Sequence, residues 1–299
     1  MNKKIIVIAG PTASGKTALG VEIAKKFNGE IVSADSRQIY KGLDIGTGKD
    51  LKEYGDVKYH LIDICKPGEK FTLFDWLELS RKKIDEILSR GKIPVIVGGT
   101  GLYIKALVEG YQISEKLNVK SEKSEKKYSR KFLDKQSVEK LIEILKKLSP
   151  DWLKKIDQKN QRRLVRGIEI AQEDIRPVKI KPNFEVLQIG INLPREKLYE
   201  RIDMRVDQRF KEGMLEEVAG LVKKGVDKKW LLSLGLEYRI IGGFVLDPKS
   251  MTRDQMFQEL KWKSHQYARR QLTWLRKQSE IKWAKNSQEA QKIVKGFLK

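Results

Sequence analysis

Ile5-Ile6-Val7-Ile8-Ala9-Gly10-Pro11-Thr12-Ala13-Ser14-Gly15-Lys16-Thr17 joins an unbroken apolar run to a glycine-rich loop of the form G-x-x-x-x-G-K-[ST]. Five apolar residues in a row, without the alternation of a half-exposed strand, indicate a parallel strand buried on both faces. Beyond the loop, Leu19, Ile23, Ala24 and Phe27 recur at helical spacing until Asn28-Gly29 stops them. A strand, such a loop and a helix in that order build a phosphate cradle. Backbone N–H groups and the positive helix end face phosphate oxygens, Lys16 neutralises them, and the Thr17 hydroxyl is placed to hold Mg²⁺. Gly10, Pro11, Thr12, Ala13, Ser14, Gly15, Lys16 and Thr17 are therefore the candidate diphosphate- or nucleotide-binding residues, ATP being one nucleotide that such a loop accepts. The loop does not say which phosphate. Kinases, nucleoside triphosphatases and diphosphate-consuming transferases all remain open.

Outward from the loop, strand and helix patterns alternate. Residues 30–34 form a second short strand, 61–64 read as a third, 74–89 as an amphipathic helix ending at Gly91, and 93–97 as a strand with its proline near the start. This succession specifies an α/β fold, a P-loop NTPase-like parallel sheet flanked by helices. Composition shifts after residue 110. Segment 114–135 is rich in Lys, Ser and Glu, which predicts an exposed, mobile stretch, and 137–148 place Val138, Leu141, Ile142, Leu145 and Leu148 on one helical stripe. Residues 111–150 are accordingly expected to form a small, mostly helical insertion in a core made of 1–110 and 151–299. From about 160 the helical core is expected to resume, with one strand at 186–191 and long helices over 195–224 and 253–275.

The chain has 299 residues, 40% of them apolar and 34% charged, with 62 Lys and Arg against 40 Asp and Glu and a formal net charge of +22. So large an excess repels itself unless a polyanion shares the space. Nucleic acid is the foremost such partner and an anionic membrane its main competitor. Cys65 is the single cysteine and there are two histidines, so neither an intramolecular disulfide nor a Cys/His zinc site is available. A reducing cytoplasm is expected. The apolar run at 5–9 is too short for a secretory signal, and no stretch nears the roughly 20 apolar residues of a membrane helix. A soluble protein with no membrane attachment is the expectation.

Directly after the second strand comes Asp35-Ser36-Arg37-Gln38-Ile39-Tyr40, then Asp44-Ile45-Gly46-Thr47-Gly48-Lys49. A carboxylate at the carboxyl end of a strand beside a phosphate loop lies where open α/β sheets place their chemistry. Taken alone, Asp35 serves as a Mg²⁺ ligand, a general base or the cap of the following turn.

Asp35 has company, however. The Gly10–Thr17 loop, the Asp35-Ser36-x-Gln38-x-Tyr40 run, Asp44-Ile45-Gly46-Thr47 and Gly98-Gly99-Thr100-Gly101-Leu102-Tyr103 follow one another in an order that resembles tRNA dimethylallyltransferases, the IPP transferase family of P-loop proteins related to nucleotide kinases. Downstream, His60-Leu61-Ile62-Asp63-Ile64, Arg162-Arg163-Leu164-Val165-Arg166-Gly167-Ile168-Glu169, Arg205-Val206-Asp207 with Gly213-x-Leu215-x-Glu217-Val218, and the run from Tyr267 to Arg276 are similar to family segments. The likeness spans nearly the whole chain and is weakest over 111–150.

The resemblance implies transfer of a dimethylallyl group from dimethylallyl diphosphate to N6 of the adenosine immediately 3′ of the anticodon, with release of pyrophosphate. It implies Asp35 as general base, Ser14, Lys16 and Thr17 with Mg²⁺ on the diphosphate, and Arg205 as the cation on the leaving group, catalytic together with Asp35 and Thr17. Arg205 as a surface helix arginine and Thr100 as a plain turn residue are the alternatives. Such a base must be flipped out of an anticodon stem-loop to react. Asp35, Ser36, Arg37, Gln38, Thr100, Arg162, Arg163 and Arg166 are the candidate tRNA-binding residues. Arg269-Arg270-Gln271-x-x-Trp274 either grips the phosphate backbone or packs a helix with its charges outward. Departures from the family's pattern are Gly48, where alanine is usual, Arg209, where methionine is frequent and the same anion is within reach, and Lys263-Ser264-His265-Gln266, where arginine is richer. A monomer is expected. The alternatives are a free-nucleotide (adenylate) isopentenyltransferase, a P-loop kinase in which Asp35 activates a hydroxyl, and an RNA-binding protein whose loop is only a switch.

Overall fold

The computed structural model describes residues 3–112, 127–173 and 178–299. The chain divides into two compact units, one of residues 1–108 and 182–299 and one of residues 109–181.

The first unit is built on a fully parallel six-stranded sheet in the order β3-β2-β4-β1-β7-β8. These strands are β1 (Lys4–Ala9), β2 (Gly29–Ser33), β3 (Tyr59–His60), β4 (Ile93–Gly98), β7 (Glu185–Ile191) and β8 (Ile281–Ala284). The apolar run at 5–9 is fully buried, as an unbroken hydrophobic strand at the centre of a covered sheet must be. On one face, α1 (Lys16–Lys26) and α13 (Ser287–Leu298) bury Leu19, Ile23, Ala290 and Val294 against Ile6, Ile8, Ile31, Val95 and Ile189. α2 (Leu73–Ser89) opens with a capping box of Thr72 and Asp75. It buries Trp76, whose indole N–H donates to the Ser33 carbonyl (2.9 Å) and whose ring stacks on Tyr103 of α3 (Gly101–Val108).

A second apolar cluster underlies the segment after β2. Ile39, Tyr40 and Leu43 pack with residues of α8 (Arg195–Lys211), α9 (Met214–Lys223), α10 (Lys228–Ser233), α11 (Leu236–Leu246) and α12 (Arg253–Arg276). Two expectations are corrected here. The apolar stretch 61–64 is not a strand: β3 is Tyr59–His60, and Leu61 and Asp63 turn away at φ 62° and 56°. Leu61 and Ile62 are apolar because they are buried as a loop. The helix expected over 195–224 is two helices, because Gly213 at φ 97° takes a left-handed conformation between α8 and α9.

The second unit holds α4 (Arg130–Leu133), α5 (Val138–Leu148), α6 (Pro150–Lys155), α7 (Gln161–Glu173) and the short antiparallel pair β5 (Tyr111–Gln112) and β6 (Val178–Lys179). Leu141, Ile144 and Leu145 of α5 close over Leu164, Val165 and Ile168 of α7. The insertion therefore runs past the expected boundary at 150 to Lys181, since the apolar stripe of α7 is spent on α5. Of the lysine-rich segment 114–135 expected to be exposed and mobile, residues 114–126 lie outside the described residues.

Candidate active site

The phosphate loop joins the end of β1 to the start of α1, as its sequence requires. Gly15 stands at the N-terminus of α1 with φ 86°, a left-handed conformation that costs glycine nothing. The side chain of Gln271 on α12 holds the loop from outside: its carbonyl accepts from Thr12 N (2.9 Å) and its amide donates to Gly99 O (3.1 Å). The Lys16 ammonium has one weak hydrogen bond, to the Pro11 carbonyl (3.3 Å). Burial, then the charge of Arg205, pushes it down to about 8 against partial support from Asp35. The Ser14 hydroxyl is buried without a hydrogen-bond partner. A half-buried ammonium with one weak bond and a buried hydroxyl with none, at the same loop, describe a receptor for an anion.

Asp35 lies just past the carboxyl end of β2. One of its carboxylate oxygens accepts from Arg37 N (2.9 Å), so part of the turn-capping reading is realised. Ser36 N donates to the Thr100 hydroxyl (3.1 Å), which ties this turn to the Gly98–Gly101 loop. Arg37 is turned inward to Glu237 (2.9 Å) and to the Tyr267 hydroxyl (3.3 Å). Burial alone would lower its guanidinium, but Glu237 and Asp35 more than offset this and hold it above its ordinary value. Gln38, 9% exposed, accepts from the Ser33 hydroxyl (3.1 Å) and donates to Gly48 O (2.9 Å), and so braces the 44–49 loop. Glu217 fixes the other end of that loop by accepting from the backbone N–H groups of Asp44, Ile45 and Gly46 at 2.7, 2.8 and 3.0 Å. Arg205 leans on Gly48 O (3.4 Å) and pairs with Asp50.

Three adjoining cavities relate these groups. A narrow one of about 40 Å³ is lined by Lys16, Thr17, Asp35, Gln38, Arg205 and Arg209. It shares Lys16, Thr17, Arg205 and Arg209 with an open cavity of about 390 Å³ that Asp50, Glu53 and Met204 also line. On its other side it shares Arg37, Gly99, Tyr267 and Gln271 with an open cavity of about 530 Å³ lined by Ser36, Thr100, Leu102, Arg239, Arg270 and Trp274. Asp35 thus stands in a throat between a cationic cavity and one walled by aromatic and basic side chains. Glu237 is a site residue that sequence reasoning missed, and Tyr267 and Gln271, quoted there only as part of a C-terminal run, also line the throat. Both of the latter lie within that run, but nothing in its spacing marks which face turns inward.

Arg162, Arg163 and Arg166 belong to the second unit, where all three are exposed on α7 on the side opposite its buried stripe; Arg166 pairs with Glu169 (3.1 Å). Among the described residues no helix is long and apolar enough to cross a membrane.

A family model described as IPP transferase matches residues 38–278, and one described as isopentenyl transferase matches residues 3–56. The chain is 43% identical over 282 residues to tRNA dimethylallyltransferase 2 of Shewanella sediminis, an alignment covering 92% of this chain and 90% of that one. A solved tRNA delta(2)-isopentenylpyrophosphate transferase of Staphylococcus epidermidis is 35% identical with a TM-score of 0.70, covering 99% of this chain and 98% of that one. The solved structure of a eukaryotic dimethylallyltransferase acting on tRNA is 27% identical with a TM-score of 0.81, covering 99% of this chain and 79% of that one. With the family model matched over residues 38–278 and a relative 43% identical across 92% of this chain, the chain belongs to the IPP transferase family.

Proposed function

We propose that this chain is a tRNA dimethylallyltransferase, which moves the dimethylallyl group of dimethylallyl diphosphate to N6 of the adenosine 3′ of the anticodon and releases pyrophosphate. The observation that carries the reading is Asp35 in the throat between a cationic and an aromatic cavity. An exocyclic amine whose lone pair is delocalised into the ring is a poor nucleophile. Its attack on the allylic carbon needs a group to accept the N6 proton and cations to receive the departing charge. Asp35 takes the proton as the new C–N bond forms. The C–O bond to the diphosphate breaks, and its electron pair leaves with pyrophosphate, held by Lys16, the N–H groups of the phosphate loop and Arg205. Ser36, Thr100, Tyr267, Arg270 and Trp274 wall the side from which a flipped base, and the phosphates next to it, would approach.

Mg²⁺ suits the donor set on the diphosphate side. The Thr17 hydroxyl lines that cavity with Asp50 and Glu53, and burial together with the Asp50 charge raises the Glu53 carboxyl above its ordinary value. Mg²⁺ takes few protein ligands and completes its shell with water and phosphate oxygens, so a hydroxyl and two carboxylates on one cavity wall are enough to seat it. Thr17, Asp50 and Glu53 would hold the ion. Bound there, it would neutralise charge on the leaving diphosphate.

The donor test is direct. Incubation of tRNA with Mg²⁺ and either dimethylallyl diphosphate or terminally labelled ATP should give N6-prenylated adenosine with the first and no transfer with the second. Phosphate transfer from ATP would instead make the chain a kinase. On this reading the enzyme works in the cytoplasm as a monomer, and its net charge of +22 favours association with tRNA.

Two further results are expected. Lys16 must be charged to bind the diphosphate, so kcat/KM for the donor should fall above about pH 8, roughly tenfold per pH unit. A bound diphosphate stabilises the charged form, so the limb seen in kcat should lie at higher pH than the limb seen in kcat/KM. A kcat/KM that stays flat to pH 10 would remove Lys16 from the site. Arg166→Ala should weaken tRNA binding and reduce its salt slope by about one phosphate contact. An unchanged slope would leave Arg166 as the partner of Glu169 alone.

A further inference from the structure

Arg209 lies one turn beyond Arg205 on α8, and Arg201 lies one turn before it. Like charges at this spacing repel, so the row costs helix stability unless something negative sits against it. All three line the open cavity, but Arg209 does so while only 7% exposed. A buried guanidinium is ordinarily satisfied at every N–H, and this one is not: its Nε is buried with no hydrogen-bond partner. The acid it faces is Glu237, at 3.7 Å, and that carboxylate is already engaged by Arg37 at 2.9 Å. One carboxylate is shared between two guanidiniums, which leaves one positive charge over. Burial, then Arg205, pushes Arg209 down to about 10, so it stays charged at neutral pH and the cost is carried by the free protein.

The backbone is shaped for this arrangement. Gly48 sits at φ 61°, and a Cβ there would run into the guanidinium of Arg209 and that of Arg205. Both cations therefore bear on the same glycine, whose carbonyl also accepts from the Gln38 side chain. Arg209 lines both the throat and the cationic cavity, together with Lys16 and Thr17.

We infer that Arg209 is a direct ligand of the diphosphate, a third cation beside Lys16 and Arg205 whose unpartnered Nε and fork complete the site for two linked phosphates rather than one. The inference rests on the transfer reaction proposed above and assigns it a substrate-binding group. A single phosphate on the loop satisfies Lys16 and the backbone N–H groups. The second phosphate brings the extra negative charge that a third cation answers. Arg209 accordingly sets the preference for diphosphate and tightens the hold on product pyrophosphate.

The probes are inorganic pyrophosphate and inorganic phosphate, titrated calorimetrically into the full chain. Arg209→Met should weaken pyrophosphate about 10- to 100-fold, the loss expected for a charge-assisted hydrogen-bonded pair, and phosphate only a few-fold. Arg209→Lys, which keeps a charge but not the fork, should fall between. Gly48→Ala should weaken pyrophosphate in the parent chain by displacing the guanidinium, and should cost far less in the Arg209→Met background, where the collision is gone. In the unaltered protein the Nε–H proton of Arg209 should move downfield as pyrophosphate is added, a readout that survives any failure of the variants to fold. Pyrophosphate affinity that is equal in Arg209→Met and the parent, with an unmoved Nε–H signal, would overturn the assignment and leave Arg209 as a partner of Glu237. A parent chain that binds no pyrophosphate and transfers no prenyl group would instead overturn the proposed reaction. One that transfers normally while Arg209→Met binds pyrophosphate as the parent does would overturn only the role of Arg209.

Discussion

Asp35→Ala is expected to lower kcat by about 10²- to 10⁴-fold while leaving tRNA affinity nearly unchanged, because a lost general base is felt in the transition state and not in ground-state binding. The structure gives this carboxylate a second task, since it accepts a hydrogen bond from Arg37 N and closes the turn that carries Ser36 and Arg37. Asp35→Asn separates the two. An asparagine oxygen still accepts from that N–H, so the turn is kept, but the amide takes no proton. A base makes Asn and Ala about equally inactive. A turn-former alone would leave Asn close to the parent, and that result would take Asp35 out of the chemistry.

Arg205→Ala is the second large loss, about 10²- to 10³-fold in kcat, the range seen when one preorganised partner of developing negative charge is removed. Arg205 pairs with Asp50 and reaches Gly48 O, so it waits with its guanidinium against the cationic cavity. A charge that matters most as the C–O bond breaks should appear in kcat more than in KM. Loss of donor affinity with kcat intact would make Arg205 a ground-state anchor only. Thermal unfolding should accompany the kinetics, because the change also strands Asp50. A pair of this partial exposure is worth at most about 1 kcal/mol, so a large drop in stability would point to a structural arginine.

The phosphate loop and the Asp35 run were legible because each is written in consecutive residues and depends on local geometry: a buried strand, a left-handed glycine, a helix N-terminus. The parallel sheet was legible for the same reason, one apolar run at a time, although its order with β1 between β4 and β7 was not. What closes the site comes from far along the chain. Gln271 holds Thr12 across 259 residues, and Glu237 meets Arg37 across 200, with no local pattern to pair them. Gln38 illustrates the limit. Its neighbourhood marked it as part of the site, but only the packing shows that its amide is spent on Ser33 and Gly48. Helix from about 160 was expected and α7 begins at Gln161, but the sequence does not say which partner buries its apolar side, and the insertion boundary was placed at 150 accordingly. Gly48 and Arg209, read as two separate departures from the family's pattern, prove to be in contact.

The central claim is transfer of a prenyl group to tRNA across the Asp35 throat. It is tested most directly by following radioactive dimethylallyl diphosphate, with Mg²⁺, into unmodified tRNA and in parallel into AMP. Label in tRNA alone, at the adenosine 3′ of the anticodon, is the expected result. Label in AMP but not tRNA would assign the chain to free nucleotides, and label in neither would contradict a prenyltransferase altogether.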